Sequence, residues 1–171
     1  GSEDYMLLLV DSGVGAGIVS GGHVLLGLGG SAGEFGHISI SFKGERCSCG
    51  NYGCLETYAA IPALLKGTSF DSWNEVVDSD SGEAADIIDR ECEYLASGIV
   101  SAANLVNIDT VLLAGDILYG VERVMYKMED IINSRTIRRN IQRIKVLPAF
   151  SGPDMKVRAA ADIAFGRFLM I

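Results

Sequence analysis

"GEFGHISISFKGERCSCGNYGCLE", residues 33–56, holds three of the chain's four cysteines, one of its two histidines and five glycines. The spacing Cys47-x-Cys49-x4-Cys54 is poor disulfide material. Cys47 and Cys49 are too close along the chain for an unstrained bridge, and a reducing compartment disfavours one. Thiolates this close repel one another unless a cation neutralises them. Zn²⁺ does so, and it prefers four sulfur or nitrogen donors in a tetrahedron. His37, ten residues upstream across a strand-like run, supplies the fourth. Gly50 and Gly53 provide the turns needed to wrap backbone around a metal. The competing reading is a glycine-rich loop with free surface thiols.

Outward from this stretch, the chain alternates strands and helices. Tyr5–Val10 reads as a buried strand. Gly17–Ser20 and His23–Leu28 flank Gly21-Gly22, a tight hairpin turn, and Ile38–Phe42 alternates weakly as a further strand. Helical spacing begins at Cys54 and runs to Leu65, with Pro62 able to restart the helix. Asp71 or Ser72 caps a short helix through Val77, and Ser81 caps a longer one to about Val106. On the long helix Ile88, Cys92, Leu95, Ile99 and Ala103 form a core-facing stripe. Cys92 therefore reads as a buried apolar thiol outside any site. Strand Asp109–Ala114 follows, then a helix carrying Val121, Val124, Met125, Met128 and Ile132. Strand Arg143–Pro148 and a closing helix near Met155–Met170 complete an α/β succession.

The 171 residues suffice for one domain or one lobe of a larger protein. No apolar run approaches the roughly 18 residues that span a bilayer. The first strand lacks the basic flank and cleavage site of a signal peptide, so a cytoplasmic protein without membrane contact is expected. Gly1-Ser2 reads as a cloning scar. Twenty-two acids against fourteen Lys and Arg leave a net charge of −8, which repels phosphate backbones and argues against nucleic-acid binding by this segment. The exception, the basic cluster Arg135–Arg143, reads as a solvated helix end.

Gly33-Glu34-Phe35-Gly36-His37, followed by Cys47-Ser48-Cys49-Gly50-Asn51-Tyr52-Gly53-Cys54-Leu55-Glu56, resembles the signature of the ROK family of bacterial sugar kinases and sugar-responsive repressors. The resemblance implies an actin-like, hexokinase-type (ribonuclease H-like) α/β lobe. Residues 3–171 would be the C-terminal lobe, with the N-terminal lobe and any helix-turn-helix lying outside the chain. It matches His37, Cys47, Cys49 and Cys54 to structural zinc ligands, and Glu34, His37 and Glu56 to positions that hydrogen-bond sugar hydroxyls. Carboxylates accept such donors, and a metal-bound imidazole keeps its second nitrogen free to donate. Taken alone, Glu34 reads rather as a turn carboxylate and Glu56 as a helix N-terminal residue. "DSGVGAG", Asp11–Gly17, resembles the family's phosphate hairpin through Ser12, Gly13, Gly15 and Gly17, although glycines also mark a plain strand connection.

Departures from the kinase pattern accompany these matches. Asp116 occupies the second position of what is commonly a glycine pair beside adenosine, adding charge near a polyanionic nucleotide. Arg158-Ala159-Ala160 stands where the family often has Gly-Ala-Ala. The family's general base, an Asp after Asn, has no counterpart in the chain. Phosphoryl transfer is not expected without it, and with Asp116 in the adenosine loop ATP is not expected as a cofactor. The resemblance, with "CLETYAA" closer to regulators, implies a lobe sensing a small sugar or sugar phosphate and forming a homo-oligomer, with DNA bound only by an upstream domain. The other readings are a sugar-kinase lobe and a zinc-stabilised interaction module.

Overall fold

A computed structural model describes residues 4–149. Strand β1 (Tyr5–Val10) turns through Asp11–Gly13 into β2 (Val14–Ser20), and Gly21-Gly22 returns the chain as β3 (His23–Val24). Both turn glycines have positive φ, 57° and 76°, the handedness that a two-residue hairpin requires. Short helices α1 (Glu56–Ala59), α2 (Ile61–Leu64) and α3 (Trp73–Asp78) precede the 25-residue α4 (Gly82–Val106). Strand β4 (Thr110–Gly115), helix α5 (Glu122–Arg135) and strand β5 (Lys145–Pro148) follow. The expected closing helix near Met155–Met170 lies outside the described residues. Among these, no helix is long and apolar enough to cross a membrane.

The strands form one mixed sheet in the order β3-β2-β1-β4-β5, antiparallel from β3 to β1 and parallel from β1 to β5. In β1, Met6, Leu8 and Val10 are buried whereas Leu9 is 40% exposed. The buried face packs into one core with the α4 stripe and with Val124, Met128 and Ile132 of α5. The stripe expected on α4 is buried along its whole length, Cys92 included. Ser81 and Ser72 cap α4 and α3, each hydroxyl accepting from the amide three residues on, at 3.1 and 3.3 Å. A break at Ala60 (ψ 135°) separates α1 from α2, and Pro62 sits in the first turn of the restarted helix. Gly98, in the middle of α4, has room for no side chain: a Cβ there would lie 2.8 Å from Phe35 and 2.9 Å from Leu55.

The structure corrects several boundaries. Ile38–Phe42 forms no strand; among the described residues its only ladder is the isolated bridge Ser39–Cys54, because the facing segment is a tight loop too short to pair further. β3 stops at Val24 instead of Leu28, and Gly27, Gly29 and Gly30, all at positive φ, turn the chain away. β2 begins at Val14, three residues before the expected Gly17. β5 begins at Lys145, because Ile144 is already paired with Asn133. That buried side-chain amide donates to Ile144 O and accepts from Ile144 N, both at 2.8 Å. The basic cluster is the last turn of α5 and the turns after it, with Arg135, Arg138, Arg139 and Arg143 exposed, the solvated helix end that was expected.

Candidate metal centre and the carboxylates beside it

The cysteine loop is a knuckle closed on itself. Cys47 N donates to Asn51 O (2.8 Å), Gly50 N to Cys47 O (3.0 Å) and Gly53 N to Glu45 O (2.7 Å). Gly50, at φ 94°, makes the reversal that brings Asn51 back beside Cys47. Ile40 N donates to Gly53 O (2.8 Å) and Leu55 N to Ile38 O (2.9 Å), tying the knuckle to the segment after His37.

The four predicted donors meet. His37 Nδ1 lies 3.6 Å from Cys47 Sγ, and Cys49 Sγ lies 3.6 Å from Cys54 Sγ. All four donor atoms fall within 4.8 Å of one another. A zinc tetrahedron with ordinary bond lengths has S···S edges of about 3.8 Å and S···N edges of about 3.6 Å. The donor set and its spacing fit that ion. The electrostatics point the same way. The Cys49 backbone N–H and the neighbouring Cys49, Cys54 and His37 side chains lower Cys47 to about 6. Burial and the adjacent thiols push Cys54 up to about 12. Cys54, which resists ionising beside the Cys47 thiolate, would be helped to do so by a cation. A metal bound here would hold the knuckle against the His37 turn. With four protein donors, no position remains for an activated water.

The predicted sugar-facing residues converge on β2. His37 closes the short 3-10 turn Phe35–His37, which packs on β2. Glu56 opens α1, where the dipole favours a carboxylate, and its Oε2 accepts from Val14 N at 3.1 Å. Gly36 is pressed between Val14 O and the Glu56 side chain, and Gly33 against Ala16 O. Glu34 is held between these two close approaches. It also lines an open groove of about 390 Å³ with Phe35, Ile38 and Leu105.

The phosphate-like residues separate into two groups. Ser12 and Gly13 sit at the hairpin tip, whereas Gly15 and Gly17 lie within β2, paired with Leu9 and Leu7. Ser12 N donates to Asp11 Oδ1 at 2.6 Å, so with Val14 N given to Glu56, two tip amides already serve carboxylates. Asp11 and Asp116 each follow a residue of the Val10–Gly115 register pair at the ends of parallel strands. Two acids therefore share one rim of the sheet. Asp11 has a sequence signal of its own, a short acid placed directly before Ser-Gly and able to cap its own turn.

A ROK family profile matches residues 1–166. The N-acetylglucosamine repressor of Escherichia coli O6:H1 is 31% identical over 153 residues, covering 80% of this chain and 38% of the repressor. A ROK family transcriptional regulator, described as a homologue of the E. coli MLC protein, superposes with a TM-score of 0.76 at 30% identity, covering 88% of this chain and 43% of the regulator. A ROK glucokinase from Streptomyces griseus, solved with glucose and AMPPNP, superposes with a TM-score of 0.74 at 25% identity, covering 95% and 61% respectively. The chain thus spans about two fifths of the two regulators' length. The mixed sheet with flanking helices is the hexokinase-type, actin-like architecture of these proteins.

Proposed function

The chain belongs to the ROK family, and on that premise we propose that it is the sugar-sensing and oligomerising part of a transcriptional regulator, built around one structural zinc. Glu34 and Glu56 accept sugar hydroxyls. His37, ligating through Nδ1, donates from its second nitrogen with its tautomer fixed by the metal. DNA binding belongs to a part of the protein outside this chain. The observation that carries the regulator reading is the acidic rim. Asp11 and Asp116 adjoin on neighbouring strand ends, and the Val14 amide is committed to Glu56. A nucleotide's phosphates would meet charge of their own sign there. Exposed Val24, Leu25, Leu26 and Leu28 beside β3 favour self-association.

Titration calorimetry of the zinc-loaded protein against N-acetylglucosamine and glucose tests the sensing role. Binding that is lost in Glu56→Gln is expected, and no binding of any hexose overturns it. Sedimentation is expected to show at least a dimer, and a strict monomer at high concentration removes the oligomerising role. The glucokinase likeness favours a second reading, a sugar-kinase lobe. Coupled-assay turnover of ATP and hexose by this chain would establish that reading in place of the first.

A further inference from the structure

Among the four cluster donors Cys49 alone is an exposed thiol; Cys47 and Cys54 are buried and His37 is half-buried. Cys49 Sγ lies 3.6 Å from Cys54 Sγ, and Gly50 and Gly53, both at positive φ, shape the backbone between them. Metal-bound thiolate sulfur remains a nucleophile, and exposure decides which one an oxidant reaches. We propose that Cys49 is an oxidation site, at which a hydroperoxide converts Cys49 and Cys54 to a disulfide and expels the metal. The proposal rests on the zinc reading above.

The chemistry balances with the peroxide as the only oxidant. Cys49 sulfur attacks one peroxide oxygen, the O–O bond breaks, Cys49 becomes a sulfenic acid, and the departing oxygen takes a solvent proton. Cys54 sulfur then attacks the Cys49 sulfur. The S–S bond forms, the S–O bond breaks, and the second oxygen leaves as water with another proton. Two thiolates have lost two electrons and the peroxide has gained them. Zn²⁺ is left with Cys47 and His37, half the donors of a closed site. Cys47 is the poorer resolving partner for Cys49, because one intervening residue cannot close an unstrained ring. Cys92 is buried against Val124 O, apart from the cluster. Cellular thiols reverse the bond, as expected of a regulatory disulfide in a reducing compartment. Because Cys54 leads directly into Leu55-Glu56, oxidation would loosen the sugar-facing carboxylate and the His37 imidazole together.

The test treats zinc-loaded protein with hydrogen peroxide in the presence of a chromogenic zinc chelator. Expected are release of one zinc per chain, loss of two titratable thiols and a mass decrease of about 2 Da. Cleavage after Tyr52 should leave the Cys49 and Cys54 fragments joined until reductant is added. Zinc retained at peroxide levels that oxidise free cysteine, a Cys47–Cys49 linkage, or Cys49 found only as sulfinic acid would each overturn the proposal. Protein holding no zinc before treatment would instead defeat the zinc reading. Cys49→His keeps four donors without the reactive sulfur and should load zinc and resist release. If it fails to load, the linkage map of the native protein still decides.

Discussion

Residues 39–54 and the α4–α5 layer are both ordered, for opposite reasons. The helical layer closes by burying Leu95, Ile99, Met128 and Ile132 against the sheet, and the hydrophobic effect suffices to hold it. The knuckle leaves Phe42 and Tyr52 exposed, at 92% and 50%. It closes on short backbone bonds and four donor atoms within 4.8 Å of one another. One region stands chiefly on apolar area; the other gathers four donors that a cation could satisfy. Conditions that strip metals and mutations that carve cavities should therefore damage different halves of the molecule.

The largest expected effect is metal removal. A structural zinc contributes on the order of 10 kcal/mol to the segment it holds, so chelation should abolish hydrogen-exchange protection at residues 45–56. Amides of 87–99 should keep most of theirs. Uniform loss across both segments would break the distinction, and elemental analysis should find about one zinc per chain beforehand. The converse is Leu95→Ala, which removes a fully buried side chain and should cost about 3 kcal/mol of unfolding free energy with zinc content unchanged.

A smaller, opposite effect sharpens the comparison within the helical layer. Glu91 on α4 is fully buried, and among the described residues neither carboxyl oxygen has a hydrogen-bond partner. Burial holds its proton on well above the ordinary carboxylate range. The folded chain keeps the group neutral where the unfolded chain ionises it. The stability present below the unfolded-state value is therefore lost as pH rises through the folded-state value. Glu91→Leu should raise stability by about 1–3 kcal/mol, with the gap over the native protein widening from acid to neutral pH in chemical denaturation. A constant gap would mean that Glu91 does not titrate differently on folding. The smallest effect is Arg143→Ala. Its contacts to Glu129 and Asp130, 3.9 and 3.6 Å at an exposed site, should shift stability by no more than about 0.5 kcal/mol.

The parts of the fold and site legible in the sequence were those whose physics is local. The spacing of Cys47, Cys49 and Cys54 marks a cluster able to hold a metal, and the α4 stripe follows helical period. Glu91 escaped because the helix is covered on more than one side. α1, α3 and α5 all contact it, so a single-stripe reading leaves Glu91 on a flank that looks solvated. Ile38–Phe42 has a strand's alternation, but its partner is the knuckle, which no periodicity reveals. The Val14–Glu56 bond joins residues 42 apart in sequence, and nothing near either residue marks the other. The family resemblance supplied Glu34 and Glu56 as candidates where the residues alone favoured turn and helix-end roles.

The notch at Gly98 gives the two regions a common fulcrum. Phe35 from the Glu34 turn and Leu55 from the end of the knuckle both bear on that one point of α4. Sixteen residues of helix run from Gly98 back to Gly82 and eight run on to Val106, arms of about 24 and 12 Å. A tilt imposed at the notch therefore moves the start of the helix about twice as far as its end. A side chain forced in at Gly98 would shift the acidic start of the helix, at Glu83 and Asp86, further than its end.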